Sequence, residues 1–374
     1  MPSRPAPKHV LIHDEIAEAI ASGTYAPGQQ LPTEMELVRT FKASRPTVAR
    51  AMQRLASEGL IDRRAGSGTF VRRASSAATK LFGLIIPGLG EKELMQAIFG
   101  QMAREAESQH HTLLWGDATD EPGADVGTRA IELAKRYVGM QVAGIFFAPV
   151  EFASGKDAAN RTVLDLCATN GIAIVLIDRD IVAYPQRSCY DLVGIDNRRA
   201  MCTLVSHLIE HGERRIDFVA RPLSAPTVSL RLAGYRDALR EAGIEPTSDG
   251  VHFGDPDDRA FVRRILGNRR ERVFVCANDL TAARLMHTLE ELGISVPGEV
   301  RVSGFDDVAY AHLLRVPLTT VRQPAQAIGA AAVRAMFERL ANPDAPGRDI
   351  LLPTSLVLRR STARTRGKVR SDQR

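Results

Sequence analysis

Near the start of the chain, apolar positions recur with helical spacing. Over residues 8–21 they fall at Val10, Leu11, Ile12, Ile16, Ala19 and Ile20, which predicts a helix with one buried face. Gly23 and the Pro27–Gly28 pair end it and turn the chain. Thr33 followed by Glu36 has capping-box spacing, so a second helix is expected from there to about Phe41. Ser44 is placed to cap a third helix, and Pro46 suits its first turn. Val48, Met52 and Leu55 give that helix its apolar stripe, and Gly59 ends it. Residues 60–71 then read as a hairpin with Gly66, Ser67 and Gly68 at its tip.

From residue 81 the pattern changes. Short apolar runs predict strands over 81–86, 112–115, 144–147, 174–177, 192–195, 216–220, 251–253, 273–277 and 300–304. Between them lie helical stretches such as 94–107, 198–211, 230–242 and 280–292. Such alternation means parallel sheets covered by helices, an α/β fold. The stretch is longer than one doubly wound sheet needs, so two lobes with a cleft are expected. The division is a head over 1–73, a small, polar and basic linker over 74–80, a body over 81–360 and a disordered basic tail over 361–374.

Composition fits this division. The chain has 374 residues, 44% of them apolar, which suits two or three domains. Net charge is +4 over 1–79 and +6 over 359–374, but −5 in between. A head that meets nucleic acid, on a body that does not, has this distribution. Cys167, Cys189, Cys202 and Cys276 are far apart with no C-x-x-C pair, so they are read as reduced thiols. The opening MPSRPAPKHV has no apolar signal core and no run has the length of a membrane span, so a cytoplasmic chain is expected.

The third helix presents Ser44, Arg45, Thr47 and Arg50 away from its apolar stripe. Recognition helices touch base edges with their N-terminal residues, and an Arg can bond two acceptors of one guanine. The hydroxyls suit phosphate oxygens, and hairpin glycines allow the backbone close to DNA. The motifs G-T-Y-A-P-G-Q-Q-L-P-T-E (23–34), S-R-P-T-V-A-R-A (44–51), L-A-S-E-G-L-I (55–61) and G-S-G-T-F-V (66–71) resemble the GntR family of bacterial winged helix-turn-helix regulators. That resemblance implies a DNA-contacting helix carrying Arg45 and Thr47 and a wing at Gly66–Thr69. Where some members have a basic residue this chain has Met35, with Arg39 one turn on as a substitute. The candidate DNA-contacting set is Thr33, Arg39, Ser44, Arg45, Thr47, Arg50, Gly66, Ser67, Gly68 and Thr69.

In the body, polar groups stand at strand ends, where ligands of such sheets bind. They are Asp178 and Arg179, Asn278 and Asp279, Asp306 and Asp307, with Arg231 on a helix and Gln323 after L-T-T-V-R. Carboxylate, amide and guanidinium groups together suit a polyhydroxyl ligand, because each hydroxyl both donates and accepts. Phe253 is a candidate cover for the apolar face of a sugar. The alternative is that these residues are helix caps and surface ion pairs. The motifs R-L-A-G-Y-R-D-A-L-R-E-A-G (231–243), V-F-V-C-A-N-D-L-T-A (273–282), E-L-G-I-S-V-P-G-E-V-R-V-S-G-F-D-D (291–307) and P-L-T-T-V-R-Q-P (317–324) resemble the LacI-type sensor domain, which has the two-lobed periplasmic-binding-protein fold. The resemblance implies Asp178, Arg179, Arg231, Asn278, Asp306 and Gln323 as ligand residues, most like the ribose-binding branch, and a monosaccharide effector. The loop at 87–93 departs from that pattern. Head and body together resemble the AraR-type regulators.

Other motifs are read as structural. H-L-I-E-H (207–211) has a zinc-like spacing but reads as a plain helix end, His110–His111 as a solvated turn, G-L-G (88–90) as no nucleotide loop, and Trp115 as core. The expectation is a transcriptional repressor, a homodimer on double-stranded operator DNA, with a sugar or polyol effector and with no catalytic residues, metal, cofactor or membrane contact. A transport-type sugar-binding protein and a cleft enzyme with a Schiff-base lysine are the alternatives.

Overall fold

Capping and apolar spacing set the head as they did in the sequence. The computed structural model describes residues 7–26, 28–64, 68–71, 79–86, 93–116, 125–246, 248–267 and 272–363. Two compact units divide between Thr79 and Lys80. The first holds α1 (Lys8–Ala21), α2 (Glu34–Phe41), α3 (Arg45–Ser57), β1 (Ile61–Arg64) and β2 (Gly68–Val71). Thr33 and Glu36 form a reciprocal cap: Glu36 N–H donates to Thr33 Oγ1 at 3.3 Å and Thr33 N–H donates to Glu36 Oε2 at 2.7 Å. Ile12, Ile16, Leu37, Val48, Met52 and Leu55 pack together, and Ile61 and Val71 close this core from the hairpin.

Two details of the head differ from expectation. Leu11 is exposed, and His13 takes a buried place beside Ile12. His13 is tolerated there because its Nε2 meets a Glu58 carboxylate oxygen at 2.6 Å and its Nδ1 meets Asp14 Oδ1 at 2.8 Å. Residues 28–31 also pair with β2, through Leu31 N–H to Thr69 O and Val71 N–H to Gln29 O, each at 2.8 Å. This packing gives Gly68 a reason of its own: its φ is +110°, and a Cβ there would overlap the Gln30 side-chain amide.

The body begins with β3 (Leu81–Ile85), α4 (Glu93–Ser108), β4 (Thr112–Trp115), α5 (Val126–Gly139), β5 (Gly144–Phe147), α6 (Lys156–Thr169), β6 (Ala173–Ile177) and β7 (Asp191–Ile195). The chain then crosses to a second lobe of α7 (Asn197–Glu210), β8 (Ile216–Ala220), α8 (Pro226–Glu241), β9 (Val251–Phe253), α9 (Arg259–Leu266), β10 (Arg272–Cys276), α10 (Asp279–Glu291), β11 (Val300–Ser303) and β12 (Thr320–Arg322). It returns for α11 (Ala325–Ala341) and β13 (Asp349–Leu352), and crosses once more to β14 (Ser355–Val357).

The first lobe has a six-stranded parallel sheet in the order β13-β7-β6-β5-β3-β4, and the second a four-stranded parallel sheet, β11-β10-β8-β9. Central strands such as β5, Gly-Ile-Phe-Phe, are buried along their whole length because helices cover both faces. In the second lobe α7 and α8 lie so close that a Cβ on Gly234 would overlap the Arg198 carbonyl oxygen. Asp191 of β7 is fully buried and bonds Arg339 of α11 at 3.0 Å and the Arg348 N–H before β13 at 2.9 Å, which fastens the returning segment to the first lobe.

Three expectations at single positions are corrected. Trp115 does not pack the core: it ends the edge strand β4, is 61% exposed and rests against Phe99 alone among described aromatic rings. His111 is no solvated turn residue: it wedges against Phe82 and Phe337, and its Nδ1 accepts the Lys80 N–H at 3.2 Å. Burial lowers its pKa. Ser361 belongs to the packed body rather than the tail, since its buried Oγ donates to Val302 O and accepts from Thr319 N–H. Most of the expected linker, the loop at 87–92 and the tail from 364 lie outside the described residues.

Candidate functional site

On the head, α3 turns Arg45 and Arg50 to solvent while Val48, Ala51, Met52 and Leu55 are buried. Neither Arg makes an ion pair or hydrogen bond with another described residue, so both charges are presented outward. Ser44 occupies the N-cap position, but its side chain does not cap α3; its Oγ meets Thr47 Oγ1 at 2.7 Å. Two hydroxyls therefore sit together at the positive end of a helix beside Arg45, an arrangement that suits a phosphate oxygen. Arg39 is exposed on α2, and Gly68 and Thr69 belong to the hairpin. The hydrogen bonds of Thr33 are used within its capping box. Gly66 and Ser67 lie outside the described residues.

In the body, the carboxyl ends of the strands of both lobes meet around a cavity of about 290 Å³. The first lobe contributes Asp178 and Arg179 after β6, Glu151 and Phe152 after β5, and Glu93 at the start of α4. The second contributes Arg231 from α8, Asn278 before α10, and Asp306 and Tyr310 after β11. Gln323 sits at the return crossover. Six of the seven expected effector residues are thus brought together. Phe253 is not among the lining residues; it lies half-exposed on the edge strand β9, and Phe152 is the phenylalanine that lines the cavity.

These groups form two linked clusters. Arg231, 4% exposed, stacks 3.8 Å above the Phe305 ring and donates from Nε to Asn197 Oδ1 at 2.8 Å and from Nη1 to Ala277 O at 2.6 Å. Its Nη2 lies 3.6 Å from Asp306 Oδ1, which also accepts from Gln323 Nε2 at 2.7 Å. Arg179, equally buried, pairs with Glu151 at 2.9 Å and lies 3.5 Å from Asp178. Arg179 Nε and Gln323 Oε1 are buried with no partner among the described residues. Asn278 is both cap and lining: its Oδ1 accepts the Thr281 N–H at 2.8 Å.

Burial is the main reason the Asp306 carboxyl is pushed up to about 7, and the Arg231 charge opposes that shift. Burial likewise raises Asp279 to about 6, against hydrogen bonds from Thr320 and the Val308 N–H. Phe152, Asp178, Asp306 and Asp307 all have positive φ, at 57°, 71°, 122° and 56°. Such backbone conformations cost about 1–3 kcal/mol each and cluster where side chains must be aimed at a ligand.

The lobes are bridged on two sides of the cavity. Ala309 N–H donates to Glu93 Oε2 at 2.8 Å. Elsewhere Phe152 N–H donates to Leu223 O at 3.1 Å, Lys156 Nζ donates to Leu223 O and Ser224 O at 3.1 and 3.0 Å, and the Arg221 guanidinium lies 5.0 Å from the Phe152 ring centre. The arrangement can enclose a small molecule and satisfy many hydroxyls at once. Sequence reasoning missed Glu151 and Phe152, although they follow a recognised strand by only a few residues. Outside this cavity, His207 and His211 stack at 4.0 Å between ring centres at the end of α7. No described helix is long and apolar enough to cross a membrane.

Comparison with known proteins gives the same two parts. Residues 10–71 match the model of bacterial regulatory proteins of the gntR family, and residues 205–362 match that of the periplasmic binding protein-like domain. The chain is 27% identical to the arabinose metabolism transcriptional repressor of Geobacillus stearothermophilus, over 97% of this chain and 99% of that one. Among solved structures, the transcription regulator CcpA of Lactococcus lactis superposes with a TM-score of 0.64 at 21% identity, covering 76% of this chain and all of the other. The transcriptional regulator CelR in complex with cellobiose gives 0.64 at 22% identity, covering 85% and 91%. With a gntR-type head and a LacI-like two-lobed body on one chain, this protein is a transcriptional regulator that joins a GntR winged helix-turn-helix domain to a periplasmic-binding-protein-like sensing domain.

Proposed function

We propose that this regulator represses sugar-utilisation genes in the cytoplasm as a homodimer on a pseudo-palindromic operator, and that a monosaccharide or related polyol in the cleft changes its operator affinity. The head would read bases with Arg45 and Arg50 and position itself on phosphates through Ser44, Thr47, Thr33, Arg39 and the hairpin residues Gly66 to Thr69. The two heads of a dimer match two half-sites related by symmetry.

The observation that carries the effector reading is the pair of orphan atoms in the cleft. Among the described residues Arg179 Nε has no acceptor and Gln323 Oε1 no donor, both at buried side chains. A hydroxyl group supplies both roles. The cavity volume lies just below the roughly 300–1,000 Å³ usual for ligand sites, which favours a single sugar ring.

Two substitutions separate the halves of this function. Arg45→Ala should weaken specific operator binding by about 1–3 kcal/mol and leave sugar binding unchanged. Asp306→Ala should leave operator binding intact but unresponsive to sugar. In the unmodified protein, operator and sugar should change each other's affinity by the same factor, a coupling of about 1–3 kcal/mol. Fluorescence anisotropy of labelled operator under sugar titration measures all three. Full sequence-specific binding by Arg45→Ala, or an operator response retained by Asp306→Ala, contradicts the assignment.

A further inference from the structure

We propose that the cleft rejects anionic sugars, such as phosphate esters, and that Glu151 enforces this by occupying the Arg179 guanidinium. This inference rests on the effector reading above. The described residues lining the cavity carry four carboxylates, Glu93, Glu151, Asp178 and Asp306, against two guanidiniums, Arg179 and Arg231.

Both guanidiniums already face carboxylates. Arg231 spends its nitrogens on Asn197, the Ala277 carbonyl and Asp306, and one face on Phe305. Arg179 is paired with Glu151 at 2.9 Å and has Asp178 at 3.5 Å. Both Arg179 and Glu151 are largely buried, so water screens the pairing little. A phosphate entering the cleft would displace a carboxylate from Arg179 and then face the others at close range. Arg179 Nε also keeps a hydrogen with no acceptor among the described residues.

Isothermal titration of the full-length protein near neutral pH tests this with D-ribose, L-arabinose, D-xylose and D-galactose and the monophosphate ester of whichever binds. The expected result is that the parent sugar binds at least about tenfold more tightly than its ester, as one like charge held close in a partly buried site requires. Glu151→Gln should shrink that preference by about tenfold, because it releases Arg179, whereas Glu151→Asp should keep it. Parent-sugar binding by each variant reports that it is folded, and the wild-type ratio decides the matter even if a variant is not. An ester that binds wild-type protein as tightly as its parent, or an unchanged ratio in Glu151→Gln, overturns the charge filter but leaves the effector reading standing. If no sugar binds at all, both fall together.

Discussion

A carboxyl group releases its proton less readily when its charge must sit away from water. Asp306 is in that position, raised from 3.8 to about 7 chiefly by burial. The folded chain therefore holds this proton where the unfolded chain has lost it, and the stability so gained disappears as pH rises from 3.8 towards 7. A hydroxyl donated to Asp306 by the effector favours the anion. Effector affinity should then increase with pH through about 7, with proton release on binding, and Asp306→Asn should flatten the dependence. Calorimetry in two buffers of different ionisation enthalpy reads both quantities; an affinity that drops over this range would make the neutral acid the bound form. Asp306 was legible in the sequence because it stands in the V-S-G-F-D-D motif at the end of a strand. Glu151 was not, because Ala148, Pro149 and Val150 separate it from β5. Phe253 failed as the aromatic cover for a related reason: periodicity locates a strand but does not tell an edge strand from a central one.

At the scale of elements, α7 and α8 are held at a distance that only glycine permits. Gly234→Ala would drive a methyl group into the Arg198 carbonyl, so the helices must separate or tilt. The expected cost is about 1–3 kcal/mol of body stability, seen as a lower urea midpoint with an unchanged denaturant slope. An unaltered midpoint would show that the pair has room to give. The sequence made the strongly periodic helices and nine apolar runs plain. It hid β12, β13 and β14, which stand near prolines and find partners far away in the chain, such as β13 beside β7. Solitary residues were the other blind spot. Trp115 and His111 carry no pattern of their own, and their surroundings are set by which strand lies at the edge and which helix crosses it.

At the scale of the molecule, the two body lobes are tied by three crossovers and by contacts on two sides of the cleft. Lys156 touches no described lining atom through a recorded bond, yet it holds Leu223 and Ser224 of the opposite lobe. Lys156→Ala should cost the closed form about 1 kcal/mol and weaken effector binding roughly fivefold through faster dissociation. Stopped-flow dissociation measures this, and an unchanged off-rate would show that the bridge does not contribute to closure.

The strand β13, seated against β7 and fastened through Asp191, has a consequence for synthesis. A ribosome making this protein delivers the sheet of the first lobe in two instalments, and the second, at Asp349–Leu352, emerges long after the first. The head has no such wait, since Val71 completes its core. Folding therefore proceeds with a finished DNA-reading module ahead of an unfinished sensor. A chain interrupted between the two would carry the completed helix-turn-helix core while its first lobe still lacked an edge strand, so the order of translation puts the head before the body.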